Sequence, residues 1–188
     1  MTAPAALLLA PGASATRDHS ALVAIDAAVS ADGVVVERID LPRGGRAERL
    51  VAVVRDAAAD VVVRAGGPET SLFLGGRSLG GRICSMAVAE GLPAAGLVLI
   101  SYPLHPPGKP LQLRTEHLPR VVVPCLFVSG TRDAFATPAE LEEAAAVIPA
   151  PVTHRWIEGG NHGLRGRDAV VAGAVREWLE ATRTGAGD

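Results

Sequence analysis

The sequence predicts a three-layer, doubly wound α/β domain, in which a mainly parallel sheet of six strands lies between two layers of helices. Short apolar runs recur along the chain, and nearly all of them are separated by segments with helical periodicity. Strands that alternate with helices form parallel sheets covered on both faces. No repeat or linker interrupts the 188 residues. We therefore expect one domain over residues 1–188, with 184–188 as a disordered tail.

The first half of the chain alternates strand and helix. Gly and Pro end the apolar runs, β-branched residues are frequent in the second run, and the helical segments carry apolar residues at every third or fourth position. The predicted elements are a strand at Ala5–Ala10, a helix around Leu22, Ile25 and Val29, a strand at Val34–Ile39 and a helix at Arg46–Arg64 that Gly66 ends.

The second half continues the alternation, interrupted by one connection that is too rich in proline for regular structure throughout. One helix has clear start signals, since Thr137 is a favourable N-cap and Pro138 suits the first helical position. The predicted elements are a strand at Leu72–Gly75, a helix at Leu79–Glu90, a strand at Gly96–Ser101, the irregular connection Tyr102–Pro119, a strand at Pro124–Ser129, a helix at Pro138–Ile148, a strand at Val152–Ile157, and a helix capped by Asp168 that ends near Arg183.

Composition is that of an ordinary folded globular protein. Hydrophobic residues make up 48% and charged residues 20% of the chain, and the formal net charge is −2. Because the basic residues are dispersed, we expect neither nucleic acid nor a membrane surface as a partner. No run is apolar for long enough to predict a membrane span.

The two cysteines, Cys84 and Cys125, lie in apolar runs, which predicts buried reduced thiols and indicates a cytoplasmic protein. An alternative is that the segment 5–15 forms the core and cleavage site of a signal peptide. No positive charge precedes that segment, its apolar core is short, and the sheet needs it as a strand. The cytoplasmic interpretation is therefore favoured.

The central motif is Gly76-Arg77-Ser78-Leu79-Gly80, a G-x-S-x-G pentapeptide between a predicted strand and a predicted helix. A sharp strand-to-helix turn crowds the positions two before and two after its middle residue, and glycine relieves both clashes. The hydroxyl of Ser78 then projects above the sheet, at the N-terminus of a helix that favours developing negative charge. Ser78 is the candidate nucleophile.

A serine hydroxyl needs a base to take its proton, and imidazole suits neutral pH. His162 is the one histidine in the loop after the last predicted strand, and small residues flank it. Asp133, directly beyond another buried strand, is the candidate carboxylate that orients the imidazole. Alternatives are a surface-loop role for His162 and a helix-capping role for Asp133, although Thr137 is the better cap.

An acyl-transfer site also needs backbone N–H groups that face the oxyanion. We expect Leu79 to supply one, and the loop after the first strand to supply the other, from Ala13 or alternatively Gly12. That loop could instead be a plain tight turn. Two further side chains are candidates for substrate contact: Arg77, which could equally pair with a carboxylate, and His105.

No metal or cofactor is predicted. The histidines at positions 19, 117 and 154 show no ligand spacing with any Cys, Asp or Glu cluster, and neither a Walker-type phosphate loop nor a G-x-G-x-x-G motif is present. Cys84, inside the helix after Ser78, is interpreted as core.

Beyond these residues, the chain resembles the compact α/β-hydrolase family that includes testis-expressed protein 30 and the hydrolase-like domain of KAT8 regulatory NSL complex subunit 3. The resemblance implies Ser78, Asp133 and His162 as a catalytic triad, and a sheet without the first two strands of larger α/β hydrolases. One departure is the first loop, where the family often has His-Gly-Ala-Gly. The segments that carry the resemblance are Gly75–Gly80, Ile100–Pro106, Pro124–Gly130 and His154–Glu158.

Together these features predict a serine hydrolase that cleaves an ester, thioester or related acyl bond of a small molecule without a cofactor. The short connection Tyr102–Pro119 provides no dedicated lid, so we expect an open, shallow site. A member of the family that serves as a complex subunit suggests the alternative of a non-catalytic interaction module. The sequence does not indicate the oligomeric state.

Overall fold

The structure is a computed structural model that describes residues 5–66 and 71–185. Among these residues, six strands form one sheet with the order β2-β1-β3-β4-β5-β6, and every neighbouring pair is parallel. The predicted α/β fold class is therefore confirmed, with a sheet that is parallel throughout. The strands are β1 (Ala5–Ala10), β2 (Val34–Arg38), β3 (Leu72–Arg77), β4 (Gly96–Ile100), β5 (Cys125–Gly130) and β6 (Val152–Ile157).

Helices cover both faces of the sheet, and each face has its own apolar core. Alternate residues of β1 belong to different cores: Leu8 packs with the helices of one face, and Leu7 and Leu9 pack with those of the other. Helices α2 (Ala47–Ala65), α3 (Leu79–Ala89) and α4 (Pro138–Ala145) contribute to the first core, and helices α1 (Ser20–Ser30) and α5 (Asp168–Thr184) contribute to the second.

The strand order creates a crevice at the carboxyl end of the sheet, between β1 and β3. The chain runs from β1 outward to β2, and then returns to β3 on the other side of β1. At such a reversal the loops beyond the carboxyl ends of the two central strands separate, which leaves a crevice for ligands. The loop that begins at Pro11 and the turn at Ser78 lie at this point.

Most predicted boundaries agree with the structure within one or two residues, and three differ for physical reasons. Helix α4 ends at Ala145 rather than at Ile148, because the Ile148 N–H bonds to the Ala145 carbonyl in a tighter turn. Asp168 is the first residue of α5, and Arg167 occupies the N-cap position without a side-chain cap bond.

At the other end of α5, Thr184 is helical and Gly185 closes the helix in a left-handed conformation, so the predicted tail does not begin at residue 184. Residues 186–188 of that tail, and the Gly67-Pro68 pair predicted to follow α2, lie outside the described residues. Within the described ranges, no helix is both long and apolar enough to cross a membrane.

Two predicted local features are confirmed. Thr137 caps α4 in a reciprocal capping box with Glu140, and Pro138 occupies the first turn. Cys84 and Cys125 are buried and free, and burial raises the pKa of each thiol to about 12. Both cysteines therefore act as core residues, not as nucleophiles.

A buried polar cluster anchors the irregular connection after β4 to helix α3. The Ser85 hydroxyl donates to the Arg82 carbonyl at 2.8 Å and lies 2.7 Å from His117 Nε2. The Tyr102 hydroxyl donates to the Arg114 carbonyl and lies 3.4 Å from the same imidazole nitrogen. Burial lowers the pKa of His117 to about 4, and the nearby Arg82 charge adds to this effect. His117 is therefore uncharged at neutral pH, and its role is structural: its imidazole contacts Ser85 of α3 and Tyr102 of the connection.

Candidate active site

The turn between β3 and α3 holds Ser78 in a conformation that L-residues rarely adopt. Its backbone dihedrals are φ 51° and ψ −117°, and its N–H donates to the Ile100 carbonyl at 2.8 Å. This bond ties the turn to the end of β4. The Ser78 side chain is partly exposed and lies at the N-terminus of α3, as in a nucleophile elbow.

The two flanking glycines are required by close packing against β1. A Cβ atom on Gly76 would lie 2.1 Å from the Ala10 carbonyl oxygen, and one on Gly80 would also lie 2.1 Å from that oxygen. Both contacts are with backbone, which cannot move aside as a side chain can. Strand β3, the turn and helix α3 thus pass β1 at a distance that only glycine permits at these two positions.

The structure brings Ser78, His162 and Asp133 into one hydrogen-bonded chain. His162 Nε2 lies 2.9 Å from Ser78 Oγ, and His162 Nδ1 lies 3.0 and 2.9 Å from the two carboxylate oxygens of Asp133. An ionised carboxylate only accepts hydrogen bonds, so Nδ1 carries the proton. Nε2 is then unprotonated and accepts from the Ser78 hydroxyl, which is the arrangement that a general base requires.

Asp133 is held rigidly for this contact. Its side chain is fully buried, at 0% exposure, whereas 18% of the His162 side chain is exposed. Besides His162, the Asp133 carboxylate accepts the backbone N–H of Phe135 at 2.8 Å. A buried carboxylate with two donors keeps one orientation, and it fixes the orientation of the imidazole in turn.

Backbone contacts between the loops after β5 and β6 set the distance between Asp133 and His162. The Arg132 N–H donates to the Gly160 carbonyl at 2.8 Å, and the Gly159 N–H donates to Thr131 Oγ1 at 2.9 Å. A Cβ on Gly130 would lie 2.1 Å from the Gly160 oxygen. The two loops therefore pack backbone to backbone.

Phe135, which was not predicted as a site residue, contacts His162 directly. Its ring stacks on the imidazole of His162, with a centroid distance of 3.9 Å and an interplanar angle of 25°. The backbone N–H of His105 donates to the Phe135 carbonyl at 3.1 Å. Of the three phenylalanines in the chain, Phe73 and Phe127 lie in strands, and Phe135 alone follows a strand at its carboxyl end. That position is the signal that could have identified it.

Two of the predicted oxyanion donors, Leu79 and Gly12, border Ser78. Leu79 is the first residue of α3, where N–H groups lack intrahelical partners. Gly12 is buried beside Ser78, since a Cβ added to it would lie 3.6 Å from Ser78 Cβ. The Ala15 N–H closes a tight turn on the Gly12 carbonyl at 3.1 Å. Ala13 lies inside this turn and is exposed. The loop can therefore form a tight turn and still present a backbone N–H as an oxyanion donor.

Arg77 and His105, the predicted substrate contacts, both make contacts within the protein. Arg77 Nη2 donates to the His162 carbonyl at 2.7 Å, which ties the histidine loop to the elbow. Burial lowers the pKa of Arg77, and the charge of Asp133 opposes this shift. His105 is only 5% exposed, with Nδ1 2.8 Å from the Pro106 carbonyl oxygen. Its imidazole therefore presents little surface to a substrate.

Within the described ranges, no group of three or more His, Cys, Asp or Glu residues is placed to hold a metal ion. The geometry places a hydroxyl, an imidazole, a carboxylate and a helix N-terminus around one point. These are the parts that an acyl-transfer reaction requires.

Comparison with known proteins places the chain in a family. Residues 3–184 match the model of a family described as an alpha/beta hydrolase domain. Est1E from Butyrivibrio proteoclasticus has a similar structure, with a TM-score of 0.81 at 15% identity over 98% of this chain and 90% of that one.

Two other solved structures are similar. For a dienelactone hydrolase from Anabaena variabilis, the TM-score is 0.76 at 19% identity, over 95% of this chain and 86% of that one. For TT1662 from Thermus thermophilus, the TM-score is 0.71 at 24% identity, over 95% and 91%. These likenesses show the shared fold, and the family model covers almost the whole chain. The protein belongs to the α/β-hydrolase domain family.

Proposed function

We propose that the protein is a serine hydrolase that cleaves an ester, thioester or related acyl bond of a small-molecule substrate. The observation that carries this proposal is the hydrogen-bonded chain from Ser78 Oγ through His162 to Asp133. A hydroxyl, an imidazole and a carboxylate in this order are what nucleophilic acyl transfer needs.

In the proposed reaction, Ser78 Oγ attacks the carbonyl carbon while its proton passes to His162 Nε2. The carbonyl π electrons move onto oxygen, and the resulting oxyanion is held by the N–H of Leu79 and by that of Ala13 or Gly12. As the intermediate collapses, His162 returns the proton to the leaving group and an acyl-enzyme remains. Water then attacks with His162 as base, which releases the acid and restores Ser78.

Solved neighbours support an acyl substrate. Est1E has been solved with ferulic acid bound, and another neighbour is named as a dienelactone hydrolase. Partial exposure of Ser78, Leu79 and His162 supports the open site that the short connection predicts. We also propose membership of the compact subgroup that includes testis-expressed protein 30, and a cytoplasmic location, with which the two free thiols are compatible.

Labelling with a fluorophosphonate probe tests the proposal directly. The purified protein should form one covalent adduct at Ser78, because such probes react with serines that a base activates. Ser78→Ala should remove labelling, and Ser20→Ala, which changes an exposed serine on α1, should leave it unchanged. A folded wild-type protein that remains unlabelled would favour the non-catalytic interaction module instead.

Phe135→Leu is expected to lower kcat about tenfold with little change in KM, because the variant loses the ring face that supports the charged imidazole in the transition state. Phe135→Tyr keeps the ring and should retain most of the activity. Steady-state kinetics on a p-nitrophenyl ester measure both effects. Equal activity of the leucine and tyrosine variants would assign Phe135 to packing alone.

A further inference from the structure

A groove lies on the face of the sheet that carries α4, away from the hydroxyl of Ser78. Its volume is about 490 Å³. One wall is the connection after β4, including Leu104 and Leu113, and the other is α4 with the turn after it, including Ala144 and Val147. We call this feature the α4 groove.

Apolar side chains are unusually exposed around the α4 groove. Leu113 is 48% exposed and Val147 is 49% exposed, and both line it. Leu111, two residues before Leu113, is 95% exposed. Single exposed apolar residues are common on protein surfaces, but several around one concavity indicate a surface that binds something.

Negative charge flanks these apolar walls on both sides. Glu116 belongs to the wall formed by the connection, and Glu140 and Glu143 belong to the α4 wall. Hydrogen bonds from Thr137 lower the pKa of Glu140, so its carboxylate stays charged. Within the described chain, Glu116 and Glu143 form no ion pair, and the groove is lined by no Lys or Arg.

We propose that the α4 groove docks a basic segment of a partner protein, in which an apolar side chain lies between Lys or Arg residues. The apolar side chains of the two walls contact the central side chain of the segment, and Glu residues on both walls meet a cation on either side of it. The α4 wall, with Glu140 and Glu143, would repel an acidic ligand. A small amine would satisfy only one wall, which is why an extended peptide fits the charge distribution better.

A short series of contacts links the α4 groove to the candidate active site. Glu140 Oε2 lies 3.6 Å from His105 Nε2, and the His105 N–H donates to the carbonyl of Phe135, whose ring stacks on His162. A docked partner is therefore connected to His162 only through Glu140, His105 and Phe135. The docking proposal goes beyond the proposed hydrolase function and holds whether or not Ser78 turns over a substrate.

Fluorescence anisotropy with three labelled peptides tests the docking. The peptides are Arg-Lys-Leu-Leu-Arg-Lys, its serine counterpart Arg-Lys-Ser-Ser-Arg-Lys and the acidic Glu-Glu-Leu-Leu-Glu-Glu. The basic apolar peptide should bind at least about tenfold more tightly than either of the others, and added salt should weaken it.

Matched variants locate the binding. The double variant Glu116→Gln/Glu143→Gln should weaken the basic apolar peptide about fivefold, since exposed charge pairs contribute modestly, and Leu113→Ser should also weaken it. The control Asp56→Asn/Asp60→Asn removes two exposed carboxylates of α2 and should change nothing. Fluorophosphonate labelling of the groove variants should equal that of the wild type, so the two proposals fail separately.

Three results would overturn the docking proposal. The first is a lack of specificity: the acidic or the serine peptide binds as tightly as the basic apolar peptide, or the groove variants bind the basic apolar peptide as tightly as the wild type does. The second is concentration-dependent dimerisation that the groove variants abolish, which would make a second copy of the chain the occupant. The third is saturable binding of a simple alkylamine without binding of the basic peptide, which would assign the groove to small amphiphiles.

Discussion

Asp133→Asn is expected to lower kcat for ester hydrolysis by about four orders of magnitude without unfolding the protein. The Asp133 carboxylate accepts from His162 Nδ1 with both oxygens and is fully buried. An amide in its place presents an N–H₂ group to Nδ1, which then favours the tautomer with the proton on Nε2. That nitrogen can no longer take the proton of Ser78.

Steady-state kinetics on a p-nitrophenyl ester, together with circular dichroism, measure this effect. Asp56→Asn is the matched control, because it removes the same charge from an exposed position on α2. We expect the control to keep wild-type rates. A loss of less than tenfold in a folded Asp133→Asn protein would exclude the orienting role and leave His162 positioned by the Arg77 contact and the Phe135 stacking alone.

The free energy of unfolding should fall as the pH is lowered from about 6.5 towards 4, because of His117. Its pKa is about 4 in the folded protein, and an unfolded histidine has a pKa of about 6.5. Between these values the unfolded chain binds a proton that the folded protein excludes, so unfolding is favoured as pH falls. The loss should reach about 2 kcal/mol at pH 5 and about 3 kcal/mol below pH 4.

Urea unfolding of wild type and His117→Asn at pH 7 and pH 5 isolates this contribution. Carboxylates and other histidines titrate in both proteins, so only the difference between the two pH dependences reports on His117. The variant should lose about 2 kcal/mol less than the wild type over this interval. Parallel behaviour of the two proteins would show that His117 remains protonated inside the fold.

Strands and helices could be predicted from the sequence because their signals are local. Apolar runs ended by Gly and Pro identify the strands, and three- or four-residue periodicity identifies the helices. Thr137 and Gly66 cap their helices as the sequence predicts, because capping depends on neighbouring residues. The predicted end of α4 was wrong, because the apolar residues Val147 and Ile148 continue the helical periodicity of the sequence beyond the last α-helical turn.

The candidate site was predictable only in part. Ser78, Asp133 and His162 follow three different strands, and the rule that function lies at the carboxyl edge of a parallel sheet selects those loops. The stacking of Phe135 on His162 and the bond from Arg77 to the His162 carbonyl depend on how the loops dock. No local pattern encodes that docking, so these contacts require the folded structure.

The positive φ of Ser78 makes the residue that the proposed catalysis needs unfavourable for the stability of the fold. At 51° the backbone lies where an L-residue is strained by roughly 1–3 kcal/mol and where glycine is not. In a lineage that no longer needed the hydroxyl, substitution of Ser78 by glycine would therefore raise the free energy of unfolding. Gly76 and Gly80 would stay, because β1 passes too close for any other residue. The central serine, and not the glycines around it, therefore distinguishes a catalytic homologue from one that keeps only the fold.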